Sequence, residues 1–268
     1  MSLPDPAAGS AVIVTGASSG IGEQLARLLA ARGHDLVLVA RRADVLEELA
    51  EELRASHGRE ILVHAADLSL HEARVGVLGA VADWGREISG LCNNAGYGLA
   101  GTAWELDPQD AQGEVDLNVA ALHHLTLAVV PDMVRRGSGS VLNVSSVAAF
   151  QPLPGFATYA ATKAFVLSFS EALHAELAGT GVSVTTLYPG PVPTGFGARA
   201  GLDGDSMMPG FMQVQADEVA RQAVDAMAAG RRSVVPGTPT KVTTMLGRYT
   251  PRSILLPVVR RGAARMGR

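Results

Sequence analysis

Twelve residues near the start of the chain constrain its fold more than any others. Ala11-Val12-Ile13-Val14 is a short apolar run that reads as a buried strand. Thr15-Gly16-Ala17-Ser18-Ser19-Gly20-Ile21-Gly22 follows, and then Leu25, Leu28 and Leu29 open a helical pattern. A strand, a glycine-rich turn and a helix N-terminus together make an anion site. Glycines let the backbone approach a phosphate, and the first helical N–H groups point at it. Gly16, Ser18, Ser19, Gly20, Ile21 and Gly22 are therefore candidate pyrophosphate contacts. The spacing is Gly-x-x-x-Gly-x-Gly rather than the common Gly-x-Gly-x-x-Gly, and a glycine turn of either kind also describes a plain loop.

Downstream, strand-like and helix-like segments alternate. Leu36–Val39, Ile61–His64, a run ending Leu91-Cys92-Asn93, Ser140–Val144, Val182–Leu187 and Ser233–Pro236 read as strands. Val45–Arg54, a long region from Pro108 to Arg136, and Tyr159–Ala178 read as helices. That alternation predicts an α/β fold: one doubly wound, mostly parallel sheet of about seven strands with helices on both faces. The length suits one large domain, with residues 1–10 as a flexible N-terminus, 11–237 as the core and 238–268 as a basic extension.

Chemistry concentrates in Ser146 and Tyr159-Ala160-Ala161-Thr162-Lys163. Tyr159 and Lys163 are four apart, which places both on one helix face. An ammonium nearby favours the phenolate and lowers the phenol's pKa, so that it can trade protons with an alcohol or ketone near neutral pH. Ser146, thirteen residues earlier and on another element, can hydrogen-bond the same substrate oxygen. Ser145 competes for that role, and the thirteen-residue offset favours Ser146. By itself the Tyr/Lys pair also describes a helix with one packed Tyr and one surface Lys.

With the glycine turn, Asp67-Leu68, Asn93-Asn94-Ala95-Gly96, Asn118, Ser146, Tyr159-x-x-x-Lys163 and Pro189-Gly190 in this order, the chain resembles the short-chain dehydrogenase/reductase family over about residues 10–237. The resemblance implies a Rossmann-type fold and nicotinamide-dependent carbonyl/alcohol chemistry. It implies Asn118, Ser146, Tyr159 and Lys163 as the catalytic set, with Asn118 holding a water that links Lys163 to solvent. Asp67 and Leu68 would meet the adenine. Asn94, Ala95 and Gly96 would line the ribose and diphosphate, and Tyr159, Lys163, Pro189, Gly190 and Thr194 would face the nicotinamide end. The lid-like stretch 191–213 and the basic tail resemble actinobacterial ketoacyl-reductase-like members, including the mycolate-reductase branch, which suggests an apolar or 3-oxoacyl-type substrate. A non-catalytic NADP-sensing module is the alternative, though such chains usually lose Tyr or Lys. Epimerases and dehydratases of the longer branch need a larger C-terminal domain than the 31 residues after Gly237 leave.

Cofactor choice turns on the end of the second strand, Val39-Ala40-Arg41-Arg42. A carboxylate there would bind a ribose hydroxyl and repel a 2′-phosphate. Arg41 and Arg42 can fork onto the phosphate instead, which predicts NADP(H) over NAD(H). Ser19 stands where many NADP-using relatives carry a basic residue.

The net charge of −4 hides an asymmetry. Residues 231–268 hold nine Lys/Arg and no Asp or Glu, which leaves thirteen basic against twenty-six acidic residues in the first 230. The tail is expected to lie on the acidic body, with contact to anionic lipid as the alternative. Nothing points to nucleic acid. The helix Tyr159–Ala178 is apolar on more than one stripe, which predicts a homodimer or homotetramer. His123-His124 are adjacent and face different ways, so no metal is expected there. The single Cys92 excludes a disulfide framework within one chain and fits a reducing cytoplasm. Residues 1–10 lack a signal peptide's basic start and apolar core, and no stretch of about 20 residues is apolar without Pro or Gly.

Overall fold

The computed structural model describes residues 2–193, 195–200 and 213–266. The first strand, β1 (Ser10–Thr15), is buried from Ala11 onward and sits in the middle of the sheet. After it come α1 (Gly20–Ala31), β2 (Asp35–Ala40), α2 (Ala43–His57) and β3 (Ile61–Ala65). The chain continues through α3 (His71–Asp83), β4 (Glu87–Asn93), α4 (Pro108–Val115), α5 (Leu122–Arg136) and β5 (Gly139–Val144). It then forms α6 (Ala157–Glu176), β6 (Val182–Leu187), α7 (Phe196–Arg199), α8 (Ala216–Ala228), β7 (Ser233–Val234), α9 (Thr238–Tyr249) and α10 (Arg252–Met266).

The seven strands form one parallel sheet in the order β3-β2-β1-β4-β5-β6-β7. Strand order reverses between β1 and β4, the place at which such sheets bind ligands at the carboxyl ends of their strands. Two apolar layers cover the sheet. Leu25, Leu29, Leu46, Leu53, Val224 and Met227 pack on one face. Val77, Leu125, Val129, Met133 and Leu173 pack on the other. At about 25 cal/mol per Å² of apolar surface, these layers are the main stabilising term.

Local rules explain several boundaries. Asp107 caps α4 by accepting from the amides of Gln109 and Asp110, and Pro108 follows in the first turn. Gly58 and Gly137 end α2 and α5 in the left-handed conformation. The long helix expected from Pro108 to Arg136 is continuous, but a π-helical segment, Asp116–Ala121, interrupts it. That run is 29 residues, long and apolar enough to span a membrane on length and composition alone, and 44% of its most apolar window is buried inside the fold.

Other features depart from the sequence reading. The helix α3 was not placed, because its apolar residues form no clear stripe. Leu3, in the segment expected to be flexible, is buried, and its amide donates to the Met227 carbonyl. The tail breaks at Pro251 between α9 and α10. Pro257 does not break it and lies inside α10. The two adjacent histidines diverge: His124 meets His71, with ring centroids 5.1 Å apart, and His123 meets Phe169 at 5.2 Å.

Candidate active site

The glycine turn is held by β4. The Thr15 hydroxyl accepts from the amides of Asn94 and Ala95 and donates to the Cys92 carbonyl. The Asn94 side chain donates to the carbonyls of Thr15 and Gly16. A Cβ on Gly22 would collide with the Gly16 carbonyl and the Asn94 amide, so the turn closes tightly only around glycine. Gly16 and Gly20 have positive φ. The first amides of α1 have no partner within the helix. Beside exposed Ser19 they form an anion cradle.

Around that cradle the ends of β2, β3 and β4 bring the remaining candidates. Arg42 donates to the carbonyl and hydroxyl of Ser18, at 2.8 and 3.0 Å. Arg41 is largely exposed, and its guanidinium lies 4.0 Å from Asp67. Desolvation pushes the Asp67 carboxyl up, but hydrogen bonds from the Ser69 hydroxyl and amide, with Arg41 nearby, leave it below its ordinary value. Leu68 is buried beside it. These residues fit a dinucleotide phosphate and ribose: a tight glycine cradle, unpaired helix amides and an exposed guanidinium at the second strand's end.

The ends of β5 and β6 and the start of α6 supply the reacting groups. Ser146 follows β5, and its hydroxyl accepts from the Ala148 amide at 3.1 Å. That bond leaves the hydroxyl proton available for another acceptor. Ser145, the rival, is engaged elsewhere and donates to the Lys163 carbonyl at 2.8 Å. The Tyr159 ring lies between Phe156 and Phe196, with centroids 6.3 and 5.3 Å away. Gly98 lets it close in, since a Cβ there would sit 2.8 Å from the ring. The Lys163 ammonium is 5.7 Å from the ring centroid and donates to the Val144 carbonyl at 3.0 Å. The Pro189 carbonyl accepts from the Val147 amide, and Gly190 lies against Thr240. Thr194 and most of the expected lid, residues 201–212, lie outside the described residues.

One electrostatic expectation is corrected. Lys163 does not pull the phenol down in this structure. Burial pushes Tyr159 up to about 12, and the hydrogen bond with Ser146 opposes that only in part. Burial likewise pushes Lys163 down to about 8. For both groups the loss of water is the largest cause, and it disfavours the charged form.

Asn118, in the π-helical segment, is fully buried. Its side chain donates to the Tyr97 carbonyl and the Thr162 hydroxyl, and accepts from the Tyr97 amide. It braces the loop after β4 against α6. Gly96 fits between the two, since a Cβ there would lie 2.8 Å from Asn118 Oδ1 and 3.4 Å from Lys163 Nζ. The sequence reading missed Thr15, Gly98 and Glu114. Thr15 abuts the glycine turn, and Glu114 stands four residues before Asn118, so position could have flagged both.

Comparison with known proteins agrees with this geometry. The family model described as short chain dehydrogenase matches residues 10–203. Sulfoacetaldehyde reductase 2 of Chromohalobacter salexigens is 38% identical over 217 residues, covering 78% of this chain and 84% of that protein. Serine 3-dehydrogenase of Agrobacterium fabrum is 37% identical over 215 residues, with coverages of 78% and 84%. A short-chain dehydrogenase from Sphingobium yanoikuyae, solved in complex with NADPH, superposes with a TM-score of 0.80 at 34% identity over 94% of both chains. With the Rossmann-type sheet, the glycine cradle and the Ser146, Tyr159 and Lys163 cluster, these matches place the chain in the short-chain dehydrogenase/reductase family, as an oxidoreductase of alcohols and carbonyl compounds.

Proposed function

We propose that this protein interconverts a ketone and a secondary alcohol using NADP(H) in preference to NAD(H), with an apolar or 3-oxoacyl-type substrate. The convergence of Ser146 and Lys163 on Tyr159, beside the glycine cradle, carries this reading. The bound nicotinamide supplies the hydride for reduction and accepts it in oxidation. The residues do the rest. Ser146 donates a hydrogen bond to the substrate oxygen as negative charge grows there. Tyr159 gives that oxygen a proton. A phenol held near 12 is protonated at neutral pH, which suits the reductive direction. Asn118 orients the loop at Tyr97 and the helix that carries Lys163.

Gly16, Ser18, Ser19, Gly20, Ile21 and Gly22 would bind the pyrophosphate, and Asp67 and Leu68 the adenine. Asn94, Ala95 and Gly96 would line the ribose, and Pro189 and Gly190 the nicotinamide. Arg41 supports the cofactor preference because Arg42 is already tied to Ser18, leaving the Arg41 fork for a 2′-phosphate. Among the relatives, one is named a very-long-chain 3-oxoacyl-CoA reductase and another an NADP-dependent 3-hydroxy acid dehydrogenase, both compatible with a 3-oxoacyl-type substrate. We further propose self-pairing through α5 and α6, where Leu127, Val134 and Phe165 are exposed, and a cytoplasmic setting consistent with the buried thiol of Cys92.

The test is NADPH consumption against ketones graded by chain length, run beside Tyr159→Phe. Turnover that rises with chain length and falls about 10²-fold or more in the variant, with NADPH affinity kept, is the expected result. Near-wild-type turnover in the variant would discard the mechanism.

A further inference from the structure

Glu114 has no role in the mechanism above, yet among the described residues it is a fully buried carboxylate. It lies on α4, one turn before Asn118 on the same continuous helical run. It is completely buried, and neither carboxylate oxygen has a hydrogen-bond partner among the described residues. A carboxylate without partners is the costliest group to bury, so such a residue needs a reason to be there.

Its surroundings suggest one. The loop after β4 contributes the Leu99 amide, which favours the charged form without completing a hydrogen bond, and the Tyr97 phenol. The phenol donates to the Asp110 carbonyl, and a Cβ on Gly113 would sit 3.0 Å from its oxygen. From α6 come Lys163, whose ammonium opposes the effect of burial on Glu114, and Tyr159, whose phenol feels the Glu114 charge. Asp110 is the other charge acting on this cluster from α4.

We propose that Glu114 is a proton-relay residue that resupplies the Tyr159–Lys163 pair after each reduction. The proposal rests on the carbonyl-reductase reading above. The protons balance as follows. Tyr159 O–H gives its proton to the substrate oxygen and becomes phenolate. The Lys163 ammonium returns a proton to the phenolate and becomes an amine. The Glu114 carboxylic acid then protonates Lys163, directly or through one water, and becomes a carboxylate. Solvent reprotonates it. Burial raises Glu114 and Tyr159 and lowers Lys163, so Glu114 keeps a proton to give at a pH where an ordinary carboxyl has lost it. The single proton consumed per turnover therefore enters at Glu114 and leaves on the alcohol.

The relay predicts that the reductive rate falls as pH rises through about 7, where Glu114 loses its proton. Glu114→Gln keeps the side chain's shape and removes its acid. In steady-state reduction at saturating NADPH, kcat at pH 6 should fall about tenfold or more, and the pH break near 7 should disappear. NADPH affinity by fluorescence titration should stay within about twofold of wild type. A lost break with kept affinity is not what a merely structural role gives. Infrared titration of the wild-type protein gives a readout independent of turnover and folding. A buried carboxylic C=O band should titrate near pH 7, and the Glu114→Gln spectrum should lack it. The proposal is overturned if no buried carboxylic acid titrates above the ordinary carboxylate range, or if Glu114→Gln retains the wild-type pH profile. Tyr159→Phe, run in parallel, keeps the two ideas apart: if it stays active, the carbonyl-reductase mechanism fails whatever Glu114 does.

Discussion

Single residues carry the sharpest expectations. Arg41 is exposed at the end of β2, and its guanidinium lies 4.0 Å from Asp67. Arg41→Ala should weaken NADPH by about 1.5–3 kcal/mol, the range for a charged hydrogen bond, and barely change NADH. Fluorescence titration of both cofactors checks this, and equal losses would remove Arg41 from cofactor discrimination. Gly22→Ala tests the cradle. The added methyl would strike the Gly16 carbonyl, which cannot move without opening the Thr15–Asn94 strut. Cofactor binding should be lost or nearly so, and retained affinity would show that the turn can yield. Glu114 also makes a stability prediction. Its pKa of about 7 in the folded protein lies above its ordinary value, so its contribution is favourable at low pH and is lost as pH rises through 7. Glu114→Gln should therefore stabilise the protein at pH 8, by up to about 3 kcal/mol at 1.36 kcal/mol per pKa unit, and much less at pH 5. Thermal melts at the two pH values measure the difference.

At the scale of elements, α6 carries the candidate reacting groups on one side and exposed apolar surface on the other. One face carries Tyr159 and Lys163 and buries Val166, Ser170 and Leu173. Asn143 donates to the Ser170 hydroxyl, and Asn93 links Asn143 to Thr126, so a buried polar network ties α6 and α5 to two central strands. Such a network fixes register because each member left unpaired would cost about 1–3 kcal/mol. The opposite face leaves Phe165 exposed and stacked on Phe169, with centroids 5.8 Å apart, close to His123 of α5. Phe165→Glu should place charges against each other across a two-fold pair and halve the particle mass in light scattering while the far-UV spectrum stays unchanged. An unchanged mass would exclude this face as the contact.

For the whole molecule, the charge asymmetry acquires a location. Glu171 on α6 faces both Arg232 and Arg248 at 3.9 Å, so part of the basic tail does meet the acidic body. These pairs are partly exposed and worth little each. Packing matters more. Arg252 donates to the Phe150 carbonyl, Thr240 lies against Gly190, and Leu255 is buried. α9 therefore rests on the segment that follows Ser146. Yet Met245, Leu246, Tyr249, Ile254 and Val258 stay exposed on the same tail. Deleting residues 238–268 should raise KM for the substrate and lower the melting temperature. Flotation of the full chain with anionic vesicles tests the lipid alternative. A truncated protein that matches the full chain in KM, melting and flotation would make the tail dispensable.

Much of this was legible in the sequence, for a physical reason. A glycine turn after an apolar strand, and side chains four apart on a helix, are local patterns that need no tertiary contact to be recognised. They carry the α/β class and the parallel sheet, and they single out Tyr159 and Lys163 as candidates. The tertiary structure decided what depends on desolvation and on partners distant in the chain. The Thr15 hydroxyl bonds residues some eighty positions away, and its place beside the glycine turn does not say which. α3 stayed hidden because its burial comes from the sheet rather than from a stripe of its own. The direction of the Tyr159 shift reversed the reading from spacing, because spacing reports proximity and says nothing of how much water has been removed. Glu114 makes the same point: in sequence it is one acidic residue among twenty-six, and only folding buries its carboxylate without a hydrogen-bond partner among the described residues and brings it within electrostatic reach of Lys163 and Tyr159.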